Sequence, residues 1–482
     1  MLLRSPGGVE SARLPRGYRA RMPLDRLSAQ DARILALESP TIAGHTCKTV
    51  IVERPPERDD VVAALRSLVA ARAGRVPRIR QRLAPTPLRL APPAWIDDPA
   101  FDAARHVVRV PVDGPVTETQ LRDLVARRFA LRLPRDRPLW RIDVIEGLEG
   151  GAVAYVLFLH HAMADGVAAL RIGAALLWDE QPQPPAIEPD AWAPGPAPTA
   201  GALLASAAGD RLRAVGRAAR TLGRDLRSPE RLRRPPPRVL VRTLARALRG
   251  AGEDSPLAVP IGSHRGVAFV SASLEDFKRI RAAAGDGTTV NDVVLAAIAG
   301  ALRTWLAHRG VEAPRLRVKV PVSLHSGDEE PSAVGNRDSF FFADLPVAEP
   351  DPGARLAAVR RETALRKRAG DADLLYLFFS DLARVSRAVE RRVERLAATA
   401  ASFSLCVSNV PGPRGPRFVL GGEVRAFYSL AEVAQRHGLR VAVFSFADTL
   451  SFGLCADADA IPDLDVLAGG LQDAIAELRA IA

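Results

Sequence analysis

Apolar residues along the chain fall into runs of two kinds. Thr46–Val52 has the composition of a strand, and Asp59–Ala73 the periodicity of a helix. Tyr155–Leu159 is a short unbroken apolar run, the pattern of a strand covered on both faces. It stops abruptly at His160-His161. Asp165 follows, then Val167, Leu170, Ala174 and Leu177, whose spacing makes one helical face. Further on, Val294, Ala297/Ile298, Ala301/Leu302 and Trp305 predict a buried helical stripe. Leu439–Phe446 and Leu450–Cys455 read as strands joined at Ala447-Asp448-Thr449, a predicted hairpin. Pro462 opens a last helix with Leu464, Leu467, Leu471, Ile475 and Leu478 inward. Strand-like and helix-like runs alternate in both halves, so the class expected is α/β.

A chain of 482 residues exceeds one ordinary core, which predicts two domains. The division is written in proline. Seven of the twenty residues from Gln181 to Ala200 are Pro, a composition that resists regular packing. The domains expected are residues 22–180, a Pro-rich then Arg-rich and partly helical linker over 181–256, and residues 257–482.

Charge sharpens this division. Asp210–Gly250 holds 13 Arg and 3 acidic residues, a net +10 of the chain's +12. Leucines interleave with those arginines, which predicts a basic amphipathic helix broken at Pro235–Pro237. Such a helix suits peripheral contact with an anionic membrane or lipid-droplet surface, and equally a solvated linker. Nucleic-acid binding is not expected, because the charge sits in one linker without interleaved aromatics to stack bases. No apolar run approaches the length of about eighteen residues that a membrane span needs. Met1–Arg21 lacks the apolar core of a secretory signal, and Met22 is an alternative start. Cys47, Cys406 and Cys455 are scattered without metal spacing, which fits a reducing cytoplasm.

The chemistry concentrates in His160-His161-Ala162-Met163-Ala164-Asp165-Gly166. A buried strand delivers two histidines into a short loop, and Asp165 is placed to cap the next helix. Adjacent residues on an extended chain face opposite sides, so one imidazole can face a cavity while the other packs. A lone histidine in an apolar setting is usually only packed; a pair at a strand's mouth invites proton transfer. Metal binding fits less well, since the pair lacks helical ligand spacing and no cysteine joins it. No Gly-x-Ser-x-Gly elbow supports a serine hydrolase.

His160–Gly166 matches the HHxxxDG motif of the CoA-dependent acyltransferases. Further segments resemble the wax ester synthase/diacylglycerol acyltransferase family, in that family's order from about Leu27 to the C-terminus. They are Pro77–Leu83, Phe101-Asp102 with His106, Arg137-Pro138-Leu139-Trp140 and Glu146-Gly147-Leu148 before the linker. After it come Thr289–Leu295, Val320–Leu324, Gly335-Asn336-Arg337, Ser408–Pro413 and Phe452-Gly453-Leu454 with Ala456-Asp457. The chain departs from the family at Ile34 and at His45-Thr46-Cys47-Lys48.

The resemblance implies two chloramphenicol acetyltransferase-like domains, mixed sheets covered by helices, and an active site at their interface. It implies an O-acyltransferase with acyl-CoA as co-substrate, diacylglycerol or a long-chain alcohol as acceptor, and no cofactor or metal. His161 would be the base, with His160 and Asp165 holding the loop. Gly166 would allow close backbone approach. Asn291 and Asp292 would lie near the reaction centre, Asn291 to orient substrate or stabilise the oxyanion, with a plain helix cap an equal reading for Asp292. Pro138–Trp140 is expected in the core, Ser408–Pro413 as a rigid junction turn, and Leu374–Phe379 as a core helix or acyl-channel wall. The rivals are a condensation-type enzyme using a carrier-protein thioester and an amine, and a non-catalytic lipid-droplet binding protein.

Overall fold

The computed structural model describes residues 24–56, 59–183, 192–227, 255–312, 315–323, 338–370, 374 and 402–482. The strands β1 (His45–Val52), β2 (Gln81–Ala84), β3 (Ala94–Asp97), β4 (Val107–Arg109), β5 (Trp140–Ile145) and β6 (Val153–His160) lie in the first half. With them are helices α1 (Ala29–Ala36), α2 (Val61–Arg72), α3 (Glu118–Phe129) and α4 (Gly166–Leu176). Helix α5 (Ala200–Arg227) follows the Pro-rich stretch. The second half holds β7 (Arg265–Ser273), β8 (Leu316–Ser323), β9 (Asp338–Leu345), β10 (Leu405–Pro411), β11 (Phe418–Val419), β12 (Gly422–Ala431), β13 (Leu439–Phe446) and β14 (Thr449–Asp457). Its helices are α6 (Leu274–Ala283), α7 (Val290–His308), α8 (Pro352–Arg368) and α9 (Leu464–Ala480).

Two mixed sheets of six strands organise the molecule, in the orders β11-β12-β1-β6-β5-β4 and β7-β14-β13-β10-β8-β9. The continuous apolar run of β6 is explained by its place between β1 and β5 with every residue buried. The first sheet is completed from far along the sequence: β12 lies antiparallel on β1, with Thr46 opposite Ala431 and Val50 opposite Phe427. The two lobes therefore share backbone hydrogen bonds as well as packed side chains. One hydrophobic cluster fills each lobe, and a third joins Leu121, Val125 and Phe129 of α3 to Val267 and Phe269 of β7.

Helix α7 carries apolar residues all round its circumference because it is enclosed, with α8, α9 and the second sheet packed on it. Its length and composition would allow it to cross a membrane, but it is the core helix of its lobe. Leu139 and Trp140 are core residues as expected, and Trp140 stacks on His106 and donates from Nε1 to the Ile79 carbonyl at 2.8 Å.

The expectation of a rigid turn over Ser408–Pro413 is corrected. Ser408–Pro411 is strand, paired in parallel with β13 from Cys406 opposite Arg440 to Pro411 opposite Ser445. Proline is tolerated here because it is the last residue of the strand. Only Gly412 and Pro413 leave the sheet. Gly335–Arg337, Leu324, Phe379 with most of its predicted helix, and the basic segment beyond Arg227 lie outside the described residues.

Buried imidazoles set the acid limit of this fold. Burial pushes His45 down to about 3, and His106 and His437 down to about 4, against hydrogen bonds to the Phe129, Trp140 and Gln435 carbonyls that pull the other way. Each is neutral when folded and takes a proton near pH 6.5 when unfolded. The unfolded chain then binds more protons below that value, so stability is lost as the pH falls from 6.5 through 4, by about 1.4 kcal/mol per unit for each group. Thermal melts across mildly acidic buffers should show a steadily falling midpoint; a flat profile would contradict the buried neutral state.

Candidate active site

Strand β6 carries the histidine pair out of the first sheet at its junction with the second lobe. His160, the last strand residue, is paired with His45 of β1 and fully buried. The chain then turns tightly, with Met163 N–H donating to the His160 carbonyl at 2.8 Å. Asp165 ends the turn as the N-cap of α4 and accepts from Ala168 N–H at 2.7 Å. Its carboxylate holds the loop to the helix, the geometry its place in the sequence predicts.

The two imidazoles have different surroundings. His160 Nδ1 accepts from Ala162 N–H at 3.0 Å, which puts its proton on Nε2. That nitrogen lies 2.8 Å from Glu38 Oε1, a close polar contact off the axis of the N–H bond. Glu38 is clamped in turn by Arg135. Burial raises the Glu38 pKa, but His160 and Arg135 outweigh it and hold the carboxyl below its ordinary value, so it is ionised. His160 is thus spent on fixing the loop.

His161 has no such clamp on its ring. Its backbone N–H donates to the Gly44 carbonyl at 2.9 Å. Its Nδ1 is enclosed with no partner on another residue among the described residues, the ring's own backbone carbonyl being the polar group that favours a proton there. The residue keeps some exposed surface. Desolvation pushes the ring's pKa down to about 3, with the charges of Arg440, His160 and Lys48 adding to the effect. The imidazole is therefore neutral at physiological pH.

A turn absent from the sequence reading holds this arrangement. Gly44 has φ +77°, and a Cβ there would stand 2.7 Å from His160 Nε2 and 3.0 Å from Glu38 Cγ. Only glycine fits that space in that conformation. The turn is gripped from the far end of β12: Glu432 accepts from Ala43 N–H at 2.7 Å and Gly44 N–H at 2.6 Å. Arg265 of the second lobe lies 3.3 Å from Glu432, lies 3.7 Å from Asp457, and donates to the Thr41 carbonyl. All three charged side chains are buried. The carbonyl that positions His161 is thus fixed by both lobes together.

Gly166, the first residue of α4, approaches β10 at Val410, with 3.4 Å between its Cβ position and a valine methyl. The next residue back, Asn409, donates to Asn291 at 3.4 Å. Asn291 is partly exposed at the start of α7, so the structure links it to the histidine loop through β10. Asp292 is differently employed. It is 1% exposed, accepts from Thr289 N–H at 2.7 Å and from the Thr363 hydroxyl at 2.6 Å, and completes a capping box with Thr289 as N-cap. The helix-cap reading of Asp292 is thus the one its contacts match, at the third helical position rather than the cap itself.

Among solved structures, the fold matches a wax ester synthase/diacylglycerol acyltransferase from Marinobacter aquaeolei VT8, with TM-score 0.67, 24% identity, and 95% of this chain and 99% of that one covered. It also matches the first condensation domain of the calcium-dependent antibiotic synthetase, with TM-score 0.58, 17% identity and 95% of each chain covered. These likenesses define the class: the two-lobed α/β fold common to such acyltransferases and condensation domains. A wax ester synthase/diacylglycerol acyltransferase catalytic domain model matches residues 27–294, and the C-terminal domain model of that family matches 334–479. A Mycobacterium tuberculosis (strain ATCC 25618 / H37Rv) protein named "Probable diacyglycerol O-acyltransferase tgs1" is 34% identical over 452 residues, covering 89% of this chain and 90% of its own length. The chain belongs to the wax ester synthase/diacylglycerol acyltransferase family.

Proposed function

We propose that the protein transfers a fatty acyl group from acyl-CoA to the hydroxyl of diacylglycerol or a long-chain alcohol, giving triacylglycerol or wax ester. The observation that carries this reading is the place of His161 at the lobe junction, at the end of β6 with its backbone N–H on the Gly44 carbonyl and some of its surface exposed. An alcohol is a poor nucleophile until its proton is removed, whereas a thioester is already activated. One base therefore suffices in this scheme, with no cofactor or metal. His161 Nε2 takes the hydroxyl proton as the oxygen attacks the thioester carbonyl. The tetrahedral intermediate collapses, the C–S bond breaks, and the imidazolium returns its proton to the departing CoA thiolate. Asn291 is the residue we place toward the substrate, and Gly166 lets the helix approach closely.

A carrier-protein donor with an amine acceptor is the second reading, and it fits the family less well. Peripheral attachment to lipid completes the proposal. The first turns of α5 dock on the first lobe through buried Leu203 and Ala207, while Leu212, Arg213 and Arg220 are exposed. Purified protein offered palmitoyl-CoA or the palmitoyl thioester of an acyl carrier protein, each with hexadecanol, diacylglycerol or an amine, should make ester from the CoA thioester. It should also co-float with anionic vesicles. Product from the carrier thioester and amine alone would overturn the reading, and failure to float would remove the lipid attachment.

A further inference from the structure

Two leucines stand out in water on the loop joining β2 to β3, residues 85–93. The loop reads Pro-Thr-Pro-Leu-Arg-Leu-Ala-Pro-Pro, with Leu88, Arg89 and Leu90 held between prolines. Leu88 is 85% exposed, the highest value among the large apolar residues described, and Leu90 is exposed beside it. Leu88 and Arg89 both have positive φ, 55° and 52°. Successive side chains in the left-handed region cost backbone energy, and such strain persists only where the surroundings enforce it.

The enforcing contacts join the loop to α5. Arg26 Nη1 donates to Thr86 Oγ1 at 2.6 Å and to the Pro92 carbonyl at 2.8 Å. Its Nη2 donates to the Leu203 carbonyl at 2.9 Å, and its Nε to Asp210 at 2.9 Å. Arg211 adds a second tie, donating to the Leu90 carbonyl at 2.8 Å. Loop and helix are therefore one clamped face. Leu212, half a turn round α5 from buried Leu203, points away from the lobe and is 74% exposed. On the same loop and helix Arg89, Arg211, Arg213 and Arg220 are exposed. Asp210 is already taken by Arg26 and Arg213. Among the described residues, Arg211 and Arg220 bond to backbone carbonyls rather than to carboxylates.

Such a face is apolar where it projects and positive between the projections. The headgroup boundary of a bilayer takes both, leucines entering the acyl region while guanidiniums meet lipid phosphates. The chain beyond keeps the same sign, a net +10 over Asp210–Gly250, and charge drawn out over that length suits an extended anionic surface. We propose that the 85–93 loop and the outer side of α5 form one lipid-insertion surface, with Leu88, Leu90 and Leu212 entering the acyl layer and the arginines holding anionic headgroups. The inference rests on the reading of lipid attachment and places it on two clamped elements rather than on the basic linker alone. Arg26 also lines a cavity of about 100 Å³ together with Ala162, Met163, Ala164 and Asp165. The clamp thus sets the histidine loop next to the layer in which a lipid acceptor is dissolved.

Flotation of the full chain with phosphatidylcholine vesicles, with and without phosphatidylglycerol, tests this face. The wild type should bind the anionic vesicles. Leu88→Asn should lower its partition coefficient by roughly tenfold, what one leucine side chain supplies on leaving water. Asparagine tolerates the left-handed region better than leucine, so this variant should melt no lower than the wild type, and unfolding cannot imitate the loss. Arg89→Gln should weaken binding about fivefold on the anionic vesicles and leave phosphatidylcholine alone unchanged. Leu365→Asn, at an exposed leucine on α8 of the other lobe, should bind as the wild type does. Undiminished partitioning of Leu88→Asn beside a binding wild type overturns the insertion surface and leaves lipid attachment to the basic segment. An equal fall in Leu365→Asn overturns it as well, by making the effect general. So does a loss in Arg89→Gln without one in Leu88→Asn, which would mark a site for polyanions such as an acidic protein. A wild type that floats with neither vesicle removes lipid attachment itself, and this surface with it.

Discussion

Gly453→Ala should leave little stable protein, although it adds a single methyl group. Gly453 sits inside the second sheet, opposite Ala442 on β13 and Phe269 on β7. At that point β12 crosses from the first sheet, and a Cβ on Gly453 would overlap the Ser429 carbonyl oxygen and stand 3.0 Å from a Leu430 methyl. The nearest obstacle is the Ser429 backbone, so no rotamer change relieves it. The lobes would have to part where Ser429 holds Lys48 and where Glu432, three residues on, grips the Gly44 turn. Overpacking of this kind costs about 3 kcal/mol or more when neither wall can move. Urea unfolding should show the loss as a lower midpoint, with activity reduced further than the folded fraction explains. Gly469→Ala on α9, where a Cβ meets nothing within 4 Å, serves as the control and should be neutral or stabilising by up to about 1 kcal/mol. A wild-type midpoint for Gly453→Ala would mean that the lobes are not locked at this crossing.

The second large effect is on chemistry alone. His161→Ala should lower the rate of acyl transfer by about 10²–10⁴-fold, the usual contribution of a placed general base. It should leave the melting temperature near that of the wild type. The residue's backbone N–H bond to Gly44 is kept by alanine, and among the described residues its enclosed Nδ1 has no partner on another residue to lose. His160→Ala differs in kind, because it strips Glu38 of its imidazole neighbour and Ala162 N–H of its acceptor. Single-turnover acyl transfer together with thermal melts would separate the two: loss of rate at constant stability for His161, loss of both for His160.

How much of this was legible in the sequence depended on how local each feature is. The strand ending in two histidines, the Asp165 cap and the helix behind it lie within one short stretch, and their pattern carried them. So did β1, the β13–β14 hairpin, α7 and α9. Features made by distant partners did not show. Glu432 and Gly44 are 388 residues apart, and nothing in the surroundings of either names the other. The one available sign was Gly44 itself, a glycine directly before a strand, where a left-handed turn is a common reason for the residue. Lys48 belonged to a stretch that departs from the family; only the approach of β12 shows it enclosed, bonded to Ser429. Ser408–Pro411 was misread because two features with opposite meanings coincide there: proline and glycine at its end signal a turn, while the parallel ladder to β13 lies 34 residues away, with Cys406 opposite Arg440. The crossing of β12 into the first sheet is a fact of topology, and a period-two apolar pattern does not say which sheet a strand joins.

The central claim is that the His161 ring draws a proton from an acceptor alcohol at the lobe junction. Its most direct measurement follows free CoA and ester together as hexadecanol or diacylglycerol is added to palmitoyl-CoA, in wild type and His161→Ala side by side. The account predicts acceptor-dependent release in the wild type, one ester formed per CoA, and its near-complete loss in the variant. Acceptor-dependent ester formation at an undiminished rate without the imidazole would contradict it.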